Sequence, residues 1–143
     1  MRVVRVGVGE ESGILGAAAI FDEAPIPAAA RAYVADERNI FLLAYEGTIP
    51  VGFLRGTELL QLTTHRRQMF LNEIGVVPEF RQRGVGRALI DNLLEYCRTR
   101  DFEEVFVMTD PTNEAAVRLY RSAGATTETP ADRMFVYPLG EGL

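Results

Sequence analysis

Val76-Val77-Pro78-Glu79-Phe80-Arg81-Gln82-Arg83-Gly84-Val85-Gly86-Arg87-Ala88 sets three arginines and two glycines between an apolar run and a helical one. Upstream, Met69–Val77 reads as a strand stopped by Pro78. Downstream, Val85, Ala88, Leu89, Leu93, Tyr96 and Cys97 recur at helical spacing from Gly84 to about Arg100. A strand that enters a helix through such a loop is built to bind an anion. The first helical turn has free N–H groups and a partial positive charge, and glycines let the backbone approach a phosphate. Arg81, Arg83 and Arg87 add charge-assisted contacts.

Outward from this segment, Val105–Thr109 is a short, mostly apolar run, as expected of a buried strand. Thr112 or Asn113 caps a helix with Ala116, Leu119, Tyr120 and Ala123 on one face, and Gly124 sits where a left-handed C-terminal residue belongs. Arg133–Leu139 reads as a last strand. Toward the N-terminus, Val3–Val8 is a first strand, and Ser12 caps a helix through Phe21. Pro27 opens an Ala-rich helix reaching about Glu37. Asn39–Tyr45 and Val51–Leu62 form a hairpin about Glu46-Gly47-Thr48. The order β-α-α-β-β-β-α-β-α-β(-β) predicts an α/β domain with a mixed central sheet flanked by about four helices. With no repeat, linker or low-complexity tract, residues 1–143 read as a single domain.

Composition narrows the chemistry. The 143 residues are 48% hydrophobic and 24% charged, enough for a core that buries about two thirds of the unfolded surface. No apolar run approaches the roughly 20 residues of a membrane span, and Glu10-Glu11 interrupts any secretory signal, so the expected location is the cytoplasm. All 15 basic residues are Arg, which excludes Schiff-base chemistry and the Walker A loop. One His, His65, and two Ser make a Ser-His-Asp triad improbable, and the lone Cys97 leaves no Cys/His metal cluster. A net charge of −5 argues against nucleic acid. That charge is unevenly spread: residues 61–100 hold 7 Arg against 4 acids, whereas the flanks hold 8 acids each against 5 and 3 Arg. A basic centre between acidic flanks suits an anion site beside a cation site. Gly7-Val8-Gly9 competes as a dinucleotide-binding loop, but Glu10-Glu11 would repel a pyrophosphate there.

Arg81-x-x-Gly84-x-Gly86 resembles motif A of the GNAT superfamily of acetyl-CoA-dependent N-acetyltransferases. Asn113-Glu114-Ala115-Ala116-Val117-Arg118-Leu119-Tyr120-Arg121-Ser122-Ala123-Gly124 is similar to the helix of motif B. Together the two motifs span about Met69–Ala125. The resemblance implies that Ile74, Val76 and Val77 lie along the pantetheine arm of acetyl-CoA. It implies that Gln82, Arg83, Gly84, Val85, Gly86, Arg87 and Ala88 surround the phosphates. Asn113 would touch the pantetheine arm, and Tyr120 would sit near the sulfur and protonate the departing thiolate.

The attacking amine must lose a proton, so the site needs an acceptor. Glu73 lies mid-strand among Phe70, Leu71, Ile74 and Val76, where an acid is costly to bury without a purpose, and Asp110 ends the following strand. Either could instead be structural, Glu73 solvated at an edge and Asp110 capping the turn with Pro111 and Thr112. As a pair they favour a cationic amine. A backbone N–H near Val76 or Val77 would hold the oxyanion, and no metal is required. From about Asn39 to Leu139 the chain is most similar to small aminoglycoside 3-N-acetyltransferases of the GNAT type. The likeness rests on Phe41-Leu42-Leu43-Ala44-Tyr45, Val51-Gly52, Asn72-Glu73-Ile74-Gly75-Val76, motif A, Ala116-Val117-x-Leu119-Tyr120 and Met134–Val136. It implies 3-N-acetylation of an aminoglycoside antibiotic, a resistance activity. The chain departs from those enzymes in lacking an acidic run after Asp110 and in residues 1–38. Asp22 and Glu23 could line the amine site, whereas Glu10 and Glu11 read as solvated. Acetylation of a protein N-terminus or a small metabolic amine, and a non-catalytic acyl-CoA sensor, are the alternatives. A homodimer is plausible for the family.

Overall fold

In the computed structural model, which describes residues 1–127 and 131–140, five strands form one sheet in the order β1-β2-β3-β4-β5. These are β1 (Arg2–Arg5), β2 (Asn39–Glu46), β3 (Ile49–Leu59), β4 (Arg67–Val76) and β5 (Phe102–Phe106). The first four are antiparallel neighbours, and β5 joins β4 in parallel. Helices α1 (Ser12–Gly16) and α2 (Pro27–Ala35) lie between β1 and β2, α3 (Val85–Arg98) between β4 and β5, and α4 (Glu114–Ser122) after β5. The mixed sheet with four helices is the α/β architecture expected.

Two apolar cores separate the helices by face. Ile14, Ala17, Ala30 and Val34 of the α1–α2 region pack with Phe41, Leu43 and Phe53. On the other face Leu89, Ile90, Leu93 and Cys97 of α3 pack with Leu42, Leu54, Met69 and Leu71. Strand alternation assigns these faces, since neighbouring residues Phe41 and Leu42 go to opposite cores.

The first strand ends at Arg5 rather than Val8, β3 runs Ile49–Leu59 rather than Val51–Leu62, and three further elements differ in kind or position. The helix read from Ser12 to Phe21 is a single α-helical segment to Gly16, followed by a 3-10 turn at Ala18–Ile20. Its two glycines weaken it, and Ser12 is its first residue rather than its cap, Glu11 holding that position. The strand read at Val105–Thr109 is centred earlier, at Phe102–Phe106, because its pairing with β4 ends at Phe70↔Phe106. The last strand expected at Arg133–Leu139 has no strand conformation. Alternation alone does not make a strand, and this segment stands exposed with no ladder partner among the described residues.

Candidate active site

The parallel pairing of β4 with β5 stops at Phe70↔Phe106, although β4 continues to Val76. Residues 71–76 therefore leave one strand edge open, and the chain from Val107 to Asn113 forms the opposite wall of a splay. Arg55 faces Glu73 and Gly56 faces Leu71 across β3 and β4, so Asn72 is an extra residue, a β-bulge. The bulge switches the phase of β4. Met69 and Leu71 point to the α3 core before it, and Ile74 and Val76 do so after it. Glu73 is thereby turned to the α1–α2 face.

On that face a cavity of about 400 Å³ is lined by Ile14, Phe21, Phe41, Tyr33, Arg55 and Glu73, with Asp22 and Glu23 at its rim. That volume suits a small molecule. Glu73 is half exposed rather than buried, and its Oε1 accepts from Arg55 Nε at 2.8 Å. Arg55 also stands 5.8 Å from the Tyr33 ring centroid. The Tyr33 hydroxyl donates to the carbonyls of Gly56 at 2.9 Å and Ile40 at 3.2 Å, which fixes the α2 side of the wall. Burial pushes the Tyr33 phenol up from its ordinary value, so it stays neutral. Arg55 was not legible from the sequence, because the hairpin at Gly47 sets only the β2–β3 register, and the pairing of Arg55 with Glu73 comes from the bulged β3–β4 register.

Asp110 lies outside this cavity, four residues beyond β5. Its Oδ1 accepts from the Thr112 N–H and hydroxyl, both at 2.8 Å, and these donors hold its pKa below the ordinary carboxylate value. It thus builds the turn into α4. Asn113 caps that helix, its Oδ1 accepting from the Ala116 N–H at 3.1 Å, and its Nδ2 has no hydrogen-bond partner among the described residues. Tyr120, half-buried on α4 against the α3 core, has its phenol pushed up by burial. Glu10 accepts from the Gly7 N–H at 2.9 Å, which stops that N-terminal loop from serving a phosphate. Glu11 is not simply solvated: it pairs with Arg31 at 3.3 Å.

The loop into α3 has the backbone an anion needs. Among the described residues, the N–H groups from Gln82 to Arg87 have no hydrogen-bond partner, and α3 has no side-chain cap. Gly84 holds φ at +83, which turns successive N–H groups toward one side. Gly86 serves packing instead: a Cβ there would lie 3.0 Å from Leu119 of α4. The three arginines divide. Arg81 donates to the Val76 carbonyl at 3.1 Å, and Arg87 is committed to Asp91 at 3.0 Å and to the Ser122 carbonyl. Arg83 lies over the Phe80 ring, 5.0 Å from its centroid, and has no acidic partner among the described residues. The Val77 N–H donates to the Val51 carbonyl at 2.9 Å, so of the two donors near the splay only Val76 can turn its N–H to the open side.

The fold thus sets a splayed parallel pair and a helix start without a side-chain cap against an acid-rimmed cavity on the opposite face of the sheet. Residues 15–125 match the acetyltransferase (GNAT) family, and the chain belongs to it. Rat N-acetyltransferase family 8 member 3 is 30% identical over 103 residues, covering 72% of this chain and 44% of the relative. The chain spans about half or less of the length of the first curated relatives it matches. An aminoglycoside acetyltransferase from an uncultured soil metagenomic sample, solved with sisomicin, superposes with a TM-score of 0.89 at 20% identity, over 97% of this chain and 96% of the other. A second soil aminoglycoside acetyltransferase gives a TM-score of 0.85 at 25% identity, over 97% and 98% of the two chains.

Proposed function

We propose that this chain moves an acetyl group from acetyl-CoA to an amine of an aminoglycoside, at the 3-amino position, by direct attack within one catalytic domain, residues 1–143. The observation that carries the reading is the cavity that joins Glu73 to Asp22 and Glu23 over an apolar floor. Carboxylates at a rim draw in a polycation, and the Ile14, Phe21 and Phe41 side chains give a sugar ring an apolar surface. The 25% identity to a soil aminoglycoside acetyltransferase over nearly the whole chain supports the same substrate class.

Acetyl-CoA supplies the acyl group as an activated thioester. Ile74, Val76 and Val77 line the splay for its pantetheine arm, with the Asn113 amide donating from the opposite wall. Gln82, Arg83, Gly84, Val85, Gly86 and Arg87 offer the pyrophosphate N–H groups, Arg83 adds an uncommitted cation, and Ala88, its own N–H held by the Gly84 carbonyl, stands beside the phosphates as the close of the first helical turn. Glu73 takes the amine proton through its second oxygen, the first being held by Arg55. Asp110 contributes negative charge and keeps the turn that aims α4. The Val76 N–H faces the carbonyl oxygen as charge develops there. Tyr120, kept protonated by burial, gives its proton to the leaving sulfur. None of these roles calls on a metal.

The test is thiol release from acetyl-CoA with sisomicin, gentamicin, polyamines and N-terminal peptides as acceptors, followed by mass spectrometry of the product. Turnover of the aminoglycosides with a 3-N-acetyl product is expected. Turnover confined to peptides or polyamines discards the drug, and tight cofactor binding without any turnover discards catalysis.

A further inference from the structure

The cavity that holds Glu73 also holds a cation. Arg55 and Glu73 are direct cross-strand partners where the β3–β4 register shifts, so the bulge that turns Glu73 to the α1–α2 face also sets it beside Arg55. Their side chains are 33% and 48% exposed, and the Arg55 Nε donates to Glu73 Oε1 at 2.8 Å. A wall meant only to draw in ammonium groups has no use for a guanidinium, because like charges repel. Attraction of the acceptor is therefore not what Arg55 contributes.

Arg55 is itself held from behind. It springs from β3, the central strand of the sheet, and its guanidinium stands 5.8 Å from the Tyr33 ring centroid. Burial raises the Tyr33 phenol, and the nearby Arg55 charge works against that rise. Tyr33 is locked at both ends. Its hydroxyl donates to the Gly56 and Ile40 carbonyls, and its own carbonyl accepts from Asn39 Nδ2 at 3.0 Å. Asn39 Oδ1 in turn accepts from the Thr57 hydroxyl at 2.9 Å. Glu73, by contrast, has no hydrogen-bond partner except Arg55 among the described residues. Without that anchor a half-exposed glutamate would spread over several rotamers.

We propose that Arg55 is a positioning residue that holds Oε1 of Glu73 so that Oε2 faces the acceptor amine, a role that rests on the acetyl transfer proposed above. The guanidinium cannot take the proton itself, being permanently charged. As the lone pair of the amine nitrogen forms the bond to the thioester carbonyl carbon, the amine proton passes to Oε2. Glu73 becomes neutral, and Arg55 keeps its own protons throughout. The same charge repels the arriving ammonium, so Arg55 favours turnover at the expense of acceptor binding.

Steady-state kinetics of the whole chain test this, with sisomicin or whichever amine the wild type turns over as acceptor. Arg55→Met is expected to lower kcat by about 10–100-fold through misplacement of the base. The acceptor KM should hold or fall, and the Kd for coenzyme A should stay unchanged. Arg55→Lys, which returns a cation and a donor, is expected to recover part of the lost kcat. In the Glu73→Gln background, Arg55→Met should change kcat by less than about two-fold, because a group that acts through Glu73 then has nothing left to position. Circular dichroism reports folding, and Arg55→Gln replaces Arg55→Met if the latter does not fold. A kcat that survives the loss of Arg55 overturns the proposal. So does a loss with rising acceptor KM, a loss that Arg55→Lys does not relieve, or one of equal size in the Glu73→Gln background, each the mark of a pair that only joins two strands. A wild type that turns over no amine overturns the proposed function instead, and the role of Arg55 falls with it.

Discussion

Glu73 and Asp110 are both carboxylates beside the splay, but their surroundings give them different work. Glu73 shares one oxygen with Arg55 and opens the other to the cavity. Asp110 has an oxygen taken by two donors of Thr112. Glu73→Gln is expected to lower kcat by about 10²–10⁴-fold, the usual contribution of a positioned base, while the Kd for coenzyme A stays unchanged. Tyr120→Phe should lower kcat in the same manner, with pre-steady-state thiolate release slowed. A Glu73→Gln variant that turns over normally removes it from the reaction. For Asp110 the prediction concerns stability. Its folded pKa is lowered from 3.8 by the Thr112 donors, so its contribution is complete above that value and is lost as pH falls through the lowered one. The Tm difference between wild type and Asp110→Asn should be constant from neutral pH down to about 4 and should narrow below it. A difference that keeps its size at pH 3 contradicts this account.

At the scale of elements, the site depends on two breaks in regularity. The Asn72 bulge puts Glu73 and Ile74 on opposite faces of the sheet from those an unbroken strand would give them. The left-handed turn at Gly84 frees the N–H groups that precede α3. Gly84→Ala keeps open space for its Cβ but strains φ, at a cost of about 1–2 kcal/mol. It should lower Tm and raise the KM for acetyl-CoA several-fold with little change in acceptor KM, which separates a cofactor loop from a general destabilisation. Sequence reading located α3, the glycine loop and the Asn113 cap because each has a local cause: helical periodicity, φ preference and side-chain capping. It missed the bulge, since Leu71-Asn72-Glu73-Ile74 alternates in no clear phase until β3 is laid beside it. It missed Arg55 for the same reason, that a cross-strand partner is a property of register. It placed a strand at Arg133–Leu139 correctly in character but not in fact, because strand formation needs a neighbouring edge that local sequence does not supply.

Across the whole molecule the uneven charge of the chain becomes a division of space. Of the arginines of residues 61–100, Arg66 and Arg67 pair with Asp101 and Glu58, Arg81 holds the Val76 carbonyl, Arg87 joins α3 to α4, and Arg83 stands on an open face. The acids at Asp22, Glu23 and Glu73 gather at the other face of the sheet. In the function proposed, the phosphate-binding and amine-binding ends of the reaction are separated by the sheet itself, and a chain with net charge −5 keeps an arginine cluster for an anionic substrate. The acidic rim is exposed, so its attraction for a polycation must be screened by salt. Raising ionic strength from about 0.1 M to about 1 M shortens the Debye length from about 10 Å to about 3 Å. At saturating acetyl-CoA, the KM for an aminoglycoside with several ammonium groups should rise several-fold over that range, and kcat should hold. A monoamine acceptor, which engages Glu73 alone, should show a much smaller change. Asp22→Asn with Glu23→Gln should abolish most of the salt dependence while leaving kcat intact. If the aminoglycoside KM is indifferent to salt, the rim carboxylates are ordinary solvated surface and the substrate is held by the apolar floor.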